Sequence, residues 1–449
     1  CIEVPMSNHR VSVVSAGWKP VLLALVAGVL ASPIAGAATL DQALTRAWRD
    51  NPQLQAQRAV LAAAGEQVDQ AKGGYYPQIK VFGGVGTAHQ DVESTFFPID
   101  TIVLNSRSIG LEVDQALYAG GRIDAKVDAA EHALTAQQAG FHAVEEKVLL
   151  DAARAYMDVV QDRAVLKLQQ GNLAVLQQAL DAAEASYRNG EVTHTDVDQA
   201  RARLAGAQAG LIQAQGALAS SEAYYQRVIG TRPDALELPA GLDALPASEA
   251  EALKLAHNNY QVQAAFASVA VANSQAEISA SILKPSVKLT GQVSAAHEPT
   301  FPFEKYNQRS IMLEFSMPLY SGGSLRSEVN AARHEADSRH QDALDAERAA
   351  RNDATQAWQA YQTATAGLAA INAQITAAQS AYDGVKAEYR EGERTTLDVL
   401  NAEQELLGAQ VNQVRAQRDE IVAEYALKAA TGQLTMENLK LPVSGTHGA

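Results

Sequence analysis

Apolar residues recur every three or four positions over most of this chain, and that spacing predicts long α-helices. The clearest stretch runs from about residue 122 to 188 without a proline, and another runs from 193 to 229. The first would be roughly 100 Å long at 1.5 Å per residue, which is typical of a coiled coil or tube wall. Leu40 to about Lys72 has the same spacing and predicts one shorter helix.

Between the helical stretches, apolar and polar residues alternate with a period of two, which predicts β-strands. In the clearest example, Ile109 and Leu111 fall on one face and Glu112 and Asp114 on the other. One face suits lipid or a protein core, and the other suits water. A soluble sheet with one exposed face would give the same alternation, so both interpretations stand.

The strands are expected in two pairs. The first pair spans about 77–118 and contains a polar and aromatic loop around Phe96-Phe97-Pro98. The second pair spans about 285–320, with a matching aromatic loop at Phe301-Pro302-Phe303 and Glu314 on the polar face. No stretch after the N-terminal region has the roughly 18 consecutive apolar residues that a transmembrane helix needs.

The order of elements occurs twice, which indicates an internal repeat. Each half reads as helix, two strands, long helix, break and helix, with long helices at 122–188 and 193–229 and then at 324–390 and 395–431. The predicted organisation is a signal peptide at 1–37, a first repeat at 38–230, a proline-containing linker or equatorial segment at 231–248, a second repeat at 249–432 and a C-terminal tail at 433–449.

The two long helices of each half are separated by a short break with a shared pattern. Tyr-Arg-x-Gly-Glu-x-Thr-x-x-Asp-Val stands at 187–197 and again at 389–399. Gly190 and Gly392 suit the left-handed conformation that ends a helix. The breaks are therefore predicted to be turns between long helices.

The aspartates of the two breaks have a simple structural explanation. Asp196 and Asp398 each follow a threonine by three positions, which is the spacing of a capping box. Such a cap contributes about 1 kcal/mol and needs no further function. Arg394 is different, because Val192 stands at its position in the first half.

The charge, the N-terminal sequence and the cysteine content limit the classes of function that fit this chain. The formal net charge of −15 over 449 residues argues against nucleic-acid binding. Val21 to Leu30 is a short apolar run before Ala35-Gly36-Ala37, which predicts an export signal; an N-terminal anchor helix is the alternative. The only cysteine, Cys1, precedes that run, so no lipid attachment site, disulfide or thiolate metal site is expected in the mature chain.

No catalytic constellation is evident in the sequence. Gly83-Gly84-Val85-Gly86 is glycine-rich, but no helix opens after it and no lysine follows, so it is interpreted as strand rather than as a phosphate loop. Histidines and carboxylates are not at metal-ligand spacing, and no nucleophile–base pair stands out. We expect no enzyme, no cofactor and no metal site.

Four strands in one chain are too few to close a membrane barrel, since the smallest have about eight. If these are membrane strands, the barrel is shared between chains. A dimer would supply eight strands and a trimer twelve. The wider tube accommodates the long attached helices more easily.

The chain resembles the TolC family of outer-membrane channel-tunnels over nearly its whole mature length. The resemblance lies in the internal duplication, the Leu-Tyr-x-Gly-Gly ends of the strands at 117–121 and 319–323, and the break at Tyr389–Leu400. It implies a mainly α fold with a transmembrane β-barrel: a homotrimer with a shared 12-stranded barrel in the outer membrane and a helical tunnel in the periplasm. It also implies a periplasmic adaptor docking near Gly190 and Gly392, and an inner-membrane ABC or proton-driven pump.

The resemblance further implies a gate at the periplasmic end. Tyr389 and Arg394 would form interhelical links with Thr195 and Asp196 as acceptors, and Asp398 would form a threefold acidic ring. Related channels can carry a second aspartate one turn further on. Asn401 stands at that position here. Six carboxylates would become three, so block by multivalent cations is expected to be weaker.

Glu112, Asp114 and Glu314 would line the barrel and favour cations; the alternative is solvated strand faces without an effect on selectivity. The absence of a lipidation cysteine favours type I protein secretion, and the family resemblance implies a toxin of the adenylate cyclase-haemolysin kind as cargo. Small-molecule efflux is the alternative. From another class, a periplasmic coiled-coil structural or adaptor protein also fits long helices, although no lipoyl-like domain is evident.

Overall fold

The computed structural model describes residues 39–94, 97–300 and 303–442. The predicted signal peptide at 1–37 and residues 443–449 of the tail lie outside the described residues. The helices are α1 Leu40–Asp50, α2 Pro52–Lys72, α3 Arg122–Arg188, α4 His194–Ile229, α5 Glu249–Ala256, α6 Tyr260–Ser281, α7 Ser324–Arg390 and α8 Thr396–Ala430. The strands are β1 Gln78–Ser94, β2 Phe97–Tyr118, β3 Ser286–Thr300 and β4 Phe303–Ser316.

The predicted mainly helical chain with four strands is confirmed. The strands form one antiparallel sheet in the order β1-β2-β3-β4. Long helices follow β2 and β4, and both α3 and α7 contain 67 residues. Gly120 and Gly121, with φ of 65° and 84°, turn the chain from β2 into α3. Because the helices leave from one end of the sheet, its other end is far from the helical tips.

The single helix predicted at 40–72 is wrong. The helix ends at Asp50, and a second one begins at Pro52. Proline lacks an amide hydrogen and disfavours helical geometry at the residue before it. Asn51 is therefore extended, and its side chain accepts a hydrogen bond from the Gln53 backbone as an N-cap.

The predicted loops between the strands are also wrong in extent. β1 continues to Ser94 and β2 already begins at Phe97, so most of the polar and aromatic stretch is strand. Phe303 and Tyr306 lie within β4, which ends at Ser316. Polar residues occupy both faces in the outer parts of these strands, so apolar alternation does not mark them as strand.

The main core lies midway along α3 and at the C-terminal ends of α4 and α8. Leu44 of α1, Leu149 and Tyr156 of α3, Ile229 of α4 and Tyr425 of α8 meet there and are almost fully buried. Several of the other buried side chains of α3 are alanines, which allows close helix packing. This packing positions both helical tips at the end of the bundle away from the sheet.

The segments predicted as linker and tail are packed against this core. Tyr156 donates its hydroxyl hydrogen to the Glu237 carbonyl at 2.7 Å and accepts from the Glu237 amide at 3.0 Å. Leu434 and Met436 are 0% and 1% exposed. The described part of the tail, up to residue 442, is therefore an integral part of the fold.

Candidate functional site

The two helical tips have nearly the same local structure. Gly190 and Gly392 adopt φ of 78° and 82° and end α3 and α7. In each tip the next residue donates its amide hydrogen back across the last turn, from Glu191 to Ser186 at 2.9 Å and from Glu393 to Glu388 at 3.0 Å. This is the Schellman pattern, which requires a left-handed residue that glycine supplies without strain.

Capping boxes begin the next helix in both tips. The Asp196 carboxylate accepts from the Thr193 amide and hydroxyl, both at 2.8 Å. Asp398 accepts from the Thr395 amide at 2.9 Å and hydroxyl at 2.8 Å. The Thr193 hydroxyl and amide lower the pKa of Asp196, and the Thr395 amide and hydroxyl lower the pKa of Asp398. Both side chains therefore carry full negative charge at neutral pH.

Tyr389 and Arg394 make local contacts. The Arg394 Nε donates to Glu388 Oε2 at 2.8 Å, and this bond raises the pKa of Arg394. The Tyr389 hydroxyl accepts from the Thr396 hydroxyl at 3.3 Å. Within the described part of the chain, no hydrogen bond or ion pair joins either residue to Thr195 or Asp196. The predicted link residues and their acceptors therefore lie at the same end of the bundle, but no described hydrogen bond or ion pair links them within one protomer.

A different contact joins the two tips. The Arg203 Nη2 of α4 donates to Asn401 Oδ1 of α8 at 2.9 Å, and its Nη1 contacts Gln404. Leu400 is buried in a small apolar cluster with residues of the α3–α4 hairpin, including Val197 and Leu204. Asn401, which stands where related channels can carry a second aspartate, therefore accepts a hydrogen bond from the Arg203 guanidinium.

Three buried carboxylates that the sequence does not mark as a site accept hydrogen bonds from backbone amides of the linker and tail segments. Glu146 accepts from the Leu434 amide and Glu145 from the Met436 amide, both at 3.2 Å. Glu424 accepts from the Leu242 amide at 2.7 Å. The pair Glu145-Glu146 interrupts the apolar stripe of α3, and two acids on a buried face are a signal that could have identified them.

Burial makes Glu146 an unusual acid. Glu146 is only 6% exposed. Burial, opposed by the Leu434 amide and assisted by the charge of Glu145, raises the pKa of Glu146 to about 8. The carboxyl group is therefore largely protonated at neutral pH.

The two faces of the sheet differ as predicted. Ile79, Val85 and Ile311 are exposed to 65%, 85% and 83% on the apolar face. On the polar face, Lys80 lies 2.5 Å from Glu112 and Lys288 lies 2.7 Å from Asp114.

Lysines therefore offset part of the predicted acidic lining. Lys288 is also the register partner of Glu314 in the β3–β4 pair. The predicted lining thus contains three acids and two lysines that face them. The expected cation preference must come from the small excess of carboxylates.

Among residues 39–94, 97–300 and 303–442, no group of three metal-ligating side chains is assembled. None of the helices in that part of the chain combines the length and apolar character needed to cross a membrane.

The family model described as Outer membrane efflux protein matches residues 43–231 and 253–433. The chain belongs to the outer membrane efflux protein family. Its location is accordingly the Gram-negative outer membrane. The alternative of a periplasmic structural or adaptor protein does not agree with this match.

Curated relatives of this family cover most of the chain. The outer membrane efflux protein BepC of Brucella suis is 32% identical over 93% of this chain and 90% of its own length. The outer membrane protein TolC of Vibrio cholerae is 25% identical over 94% of this chain and 96% of its own length. The predicted membership of the TolC family is confirmed.

A partial relative and a solved structure are also similar to this chain. The alkaline protease secretion protein AprF of Pseudomonas aeruginosa is 27% identical over 34% of this chain and 31% of its own length. The solved structure of the Campylobacter jejuni CmeC outer membrane channel has a TM-score of 0.78 and 16% identity, covering 88% of this chain and 85% of that one. That structure confirms the fold, and this family consists of channel proteins rather than enzymes.

Proposed function

We propose that this efflux-family protein is a homotrimeric channel-tunnel that carries an exported protein across the periplasm and outer membrane. The observation that carries the proposal is the four-stranded sheet at one end of two 67-residue helices. Its outer strands β1 and β4 each have an unpaired edge in the single chain. Three copies joined edge to edge make a closed 12-stranded barrel, which removes all free edges.

The polarity of the sheet supports the same assembly. The apolar face carries Val85 and Ile311, which fit lipid, while the polar face carries Lys80, Glu112 and Asp114, which fit a wet lumen. The continuing helices then form a tunnel in the periplasm. The two halves of the chain, which share a helix length and a tip structure, are interpreted as an internal repeat.

The helical tips are proposed as the gate and the docking end. Gly190 and Gly392 mark the turns that an adaptor would contact, and an inner-membrane ABC or proton-driven pump would supply energy. Since Tyr389 and Arg394 are not linked to Thr195 or Asp196 within one protomer, such links would form between neighbouring protomers. Asp398 would then form an acidic ring around the threefold axis.

Type I protein secretion is the cargo class that we favour. The similarity to AprF, whose name denotes alkaline protease secretion, supports protein cargo. A toxin of the adenylate cyclase-haemolysin kind remains the specific prediction. The second candidate is small-molecule efflux, which the similarity to BepC, an efflux protein by name, favours.

Two measurements test the proposal. Outer-membrane fractions should contain a heat-modifiable trimer on gels, and purified trimers should form channels in planar bilayers. Deletion of the gene should then remove one or more proteins from the culture medium without changing drug susceptibility. Increased susceptibility with an unchanged set of secreted proteins would favour efflux, and a monomer in the periplasmic fraction would contradict both.

A further inference from the structure

A row of basic residues crosses the apolar face of the sheet near its end away from the helices. Arg107 of β2 is the register partner of His297 of β3, and His297 is the partner of Lys305 of β4. Directly paired residues of antiparallel strands point to the same face, and neighbouring strands are about 5 Å apart. The three side chains therefore lie side by side across roughly 10 Å.

This row begins where the apolar surface stops. On β2, Ile109 is exposed to 63% and is the next residue after Arg107 on the same face, toward the helices. On β4, Ile311 and Leu313 are exposed on this face, and Arg309 lies between them and Lys305. Cations at the border of a lipid-facing surface lie at the depth of lipid headgroups.

A shallow depression of about 330 Å³ lies at this border. Arg107, His297, Lys305 and Asn307 contribute to its wall, together with the apolar side chains of Ile109 and Ala295. It thus combines cationic and apolar lining in one place. Such a lining suits a ligand with a negatively charged head and a hydrocarbon body.

Arg107 and Lys305 differ from the lysines of the opposite face in their acidic partners. Among the side chains that the structure describes, no carboxylate lies within ion-pair distance of either residue. The lysines of the opposite face, Lys80 and Lys288, are both paired with acids at 2.5 and 2.7 Å. Among the described side chains, the two outer cations of the row are therefore unpaired, whereas the lysines of the other face are paired.

Two acids approach the centre of the row, at His297, and neither forms an ion pair with Arg107 or Lys305 among the described side chains. Glu298 and Glu304 lie 3.8 and 3.9 Å from the ring nitrogens of His297. The Glu298 carboxylate is already engaged by the Asn105 amide at 2.8 Å. Arg107 and Lys305 flank this centre and retain their own donors.

We propose that Arg107 and Lys305, with His297 between them, bind the phosphorylated headgroup of a lipid A-type lipid in the outer leaflet. The guanidinium fork and the ammonium group bind phosphate oxygens, while the acyl chains lie against Ile109 and Ala295. Phosphate monoesters carry close to two negative charges each, so a diphosphorylated headgroup matches two separated cations better than a phosphodiester does. The inference rests on the proposed orientation, in which the helices lie in the periplasm.

Binding of defined lipids to the full-length trimer in detergent tests this site. Native mass spectrometry would count bound diphosphoryl lipid A, monophosphoryl lipid A and phosphatidylglycerol, with inorganic phosphate as competitor. The variant is Arg107→Gln/Lys305→Gln. The matched control is Lys80→Gln/Lys288→Gln, which removes the same charge from the opposite face of the same sheet.

The wild type and the control should bind diphosphoryl lipid A about tenfold or more tightly than the Arg107→Gln/Lys305→Gln variant. Equal binding by that variant, or equally tight phosphatidylglycerol binding by the wild type, would overturn the proposal. The exposed single variant Lys305→Gln gives a smaller loss if the double variant does not assemble. Channel formation, measured on the same preparations, tests the proposed function independently of lipid binding.

Discussion

The Arg203 guanidinium of α4 donates to the Asn401 side chain of α8 at 2.9 Å. This bond joins the first hairpin to the second one turn beyond the capping residue Asp398. The cation lies beside the position at which a second aspartate would complete a two-ring gate. A carboxylate introduced there would be partly neutralised by Arg203.

Asn401→Asp alone should therefore change multivalent-cation block only slightly, because Arg203 would pair with the new carboxylate. Asn401→Asp combined with Arg203→Gln should lower the concentration of cation that blocks the channel by about tenfold. An interaction free energy of about 1.4 kcal/mol corresponds to that factor. Block of single-channel current by a trivalent cation measures both effects. Arg203→Gln alone is the control, and equal block in the single and double variants would contradict the role of Arg203.

Arg394→Ala and Asp196→Ala should each raise the single-channel conductance in planar bilayers, because each removes one side of a proposed link between protomers. Arg394 is the side chain that capping does not explain, and its only described partner is Glu388 at 2.8 Å. Unchanged conductance in both variants would exclude the gate assignment.

Two matched variants separate a link from local structure in the gate experiment. Glu388→Gln removes the local partner of Arg394 and should leave the channel closed. Thr193→Ala removes the N-cap of α4 at a cost of about 1 kcal/mol but keeps the Asp196 carboxylate. If Thr193→Ala opens the channel as much as Asp196→Ala does, fraying of the helix explains both.

The helical tips could be predicted from sequence because their chemistry is local. Glycine at Gly190 and Gly392 and threonine three residues before Asp196 and Asp398 determine turns and caps within a few positions. The break at Asn51-Pro52 was also visible locally but was outweighed by the apolar periodicity on either side. Local signals therefore give the elements and their ends, when proline is taken into account.

Contacts between distant segments could not be predicted in the same way. Glu146 and Leu434 are 288 positions apart, and Arg203 and Asn401 are 198 apart. Nothing in either local sequence specifies the partner. Such contacts depend on how the helices pack, so the partners of the buried carboxylates and the contact between the tips emerge only from the three-dimensional structure.

Lys288→Gln should increase the preference of the channel for cations. Lys288 lies 2.7 Å from Asp114 on the polar face of the sheet, and removing its charge leaves that carboxylate unbalanced. The reversal potential in a salt gradient measures the change. Arg309→Gln, on the apolar face, removes one charge of the same sign as a control, and an equal shift in both variants would contradict a lumen position for Asp114.

The pKa of about 8 for Glu146 makes the stability of the fold depend on pH. An unfolded glutamate releases its proton near pH 4.3. Between that value and about pH 8 the folded chain binds more protons than the unfolded chain, so the free energy of unfolding decreases as pH rises. The contribution of Glu146 is complete below the unfolded pKa and is lost above the folded one.

Glu146→Gln should remove this decrease. The glutamine keeps an oxygen that accepts from the Leu434 amide but never acquires a charge, so no desolvation penalty develops at high pH. The variant should be more stable than the wild type at pH 8.5, by at most roughly 5 kcal/mol, and should differ less at pH 5. Thermal unfolding and amide exchange at Leu434 across this range measure it. Glu66→Gln, on an exposed face of α2, controls for a general charge effect, and parallel profiles for wild type and Glu146→Gln would show that Glu146 is charged in the folded state.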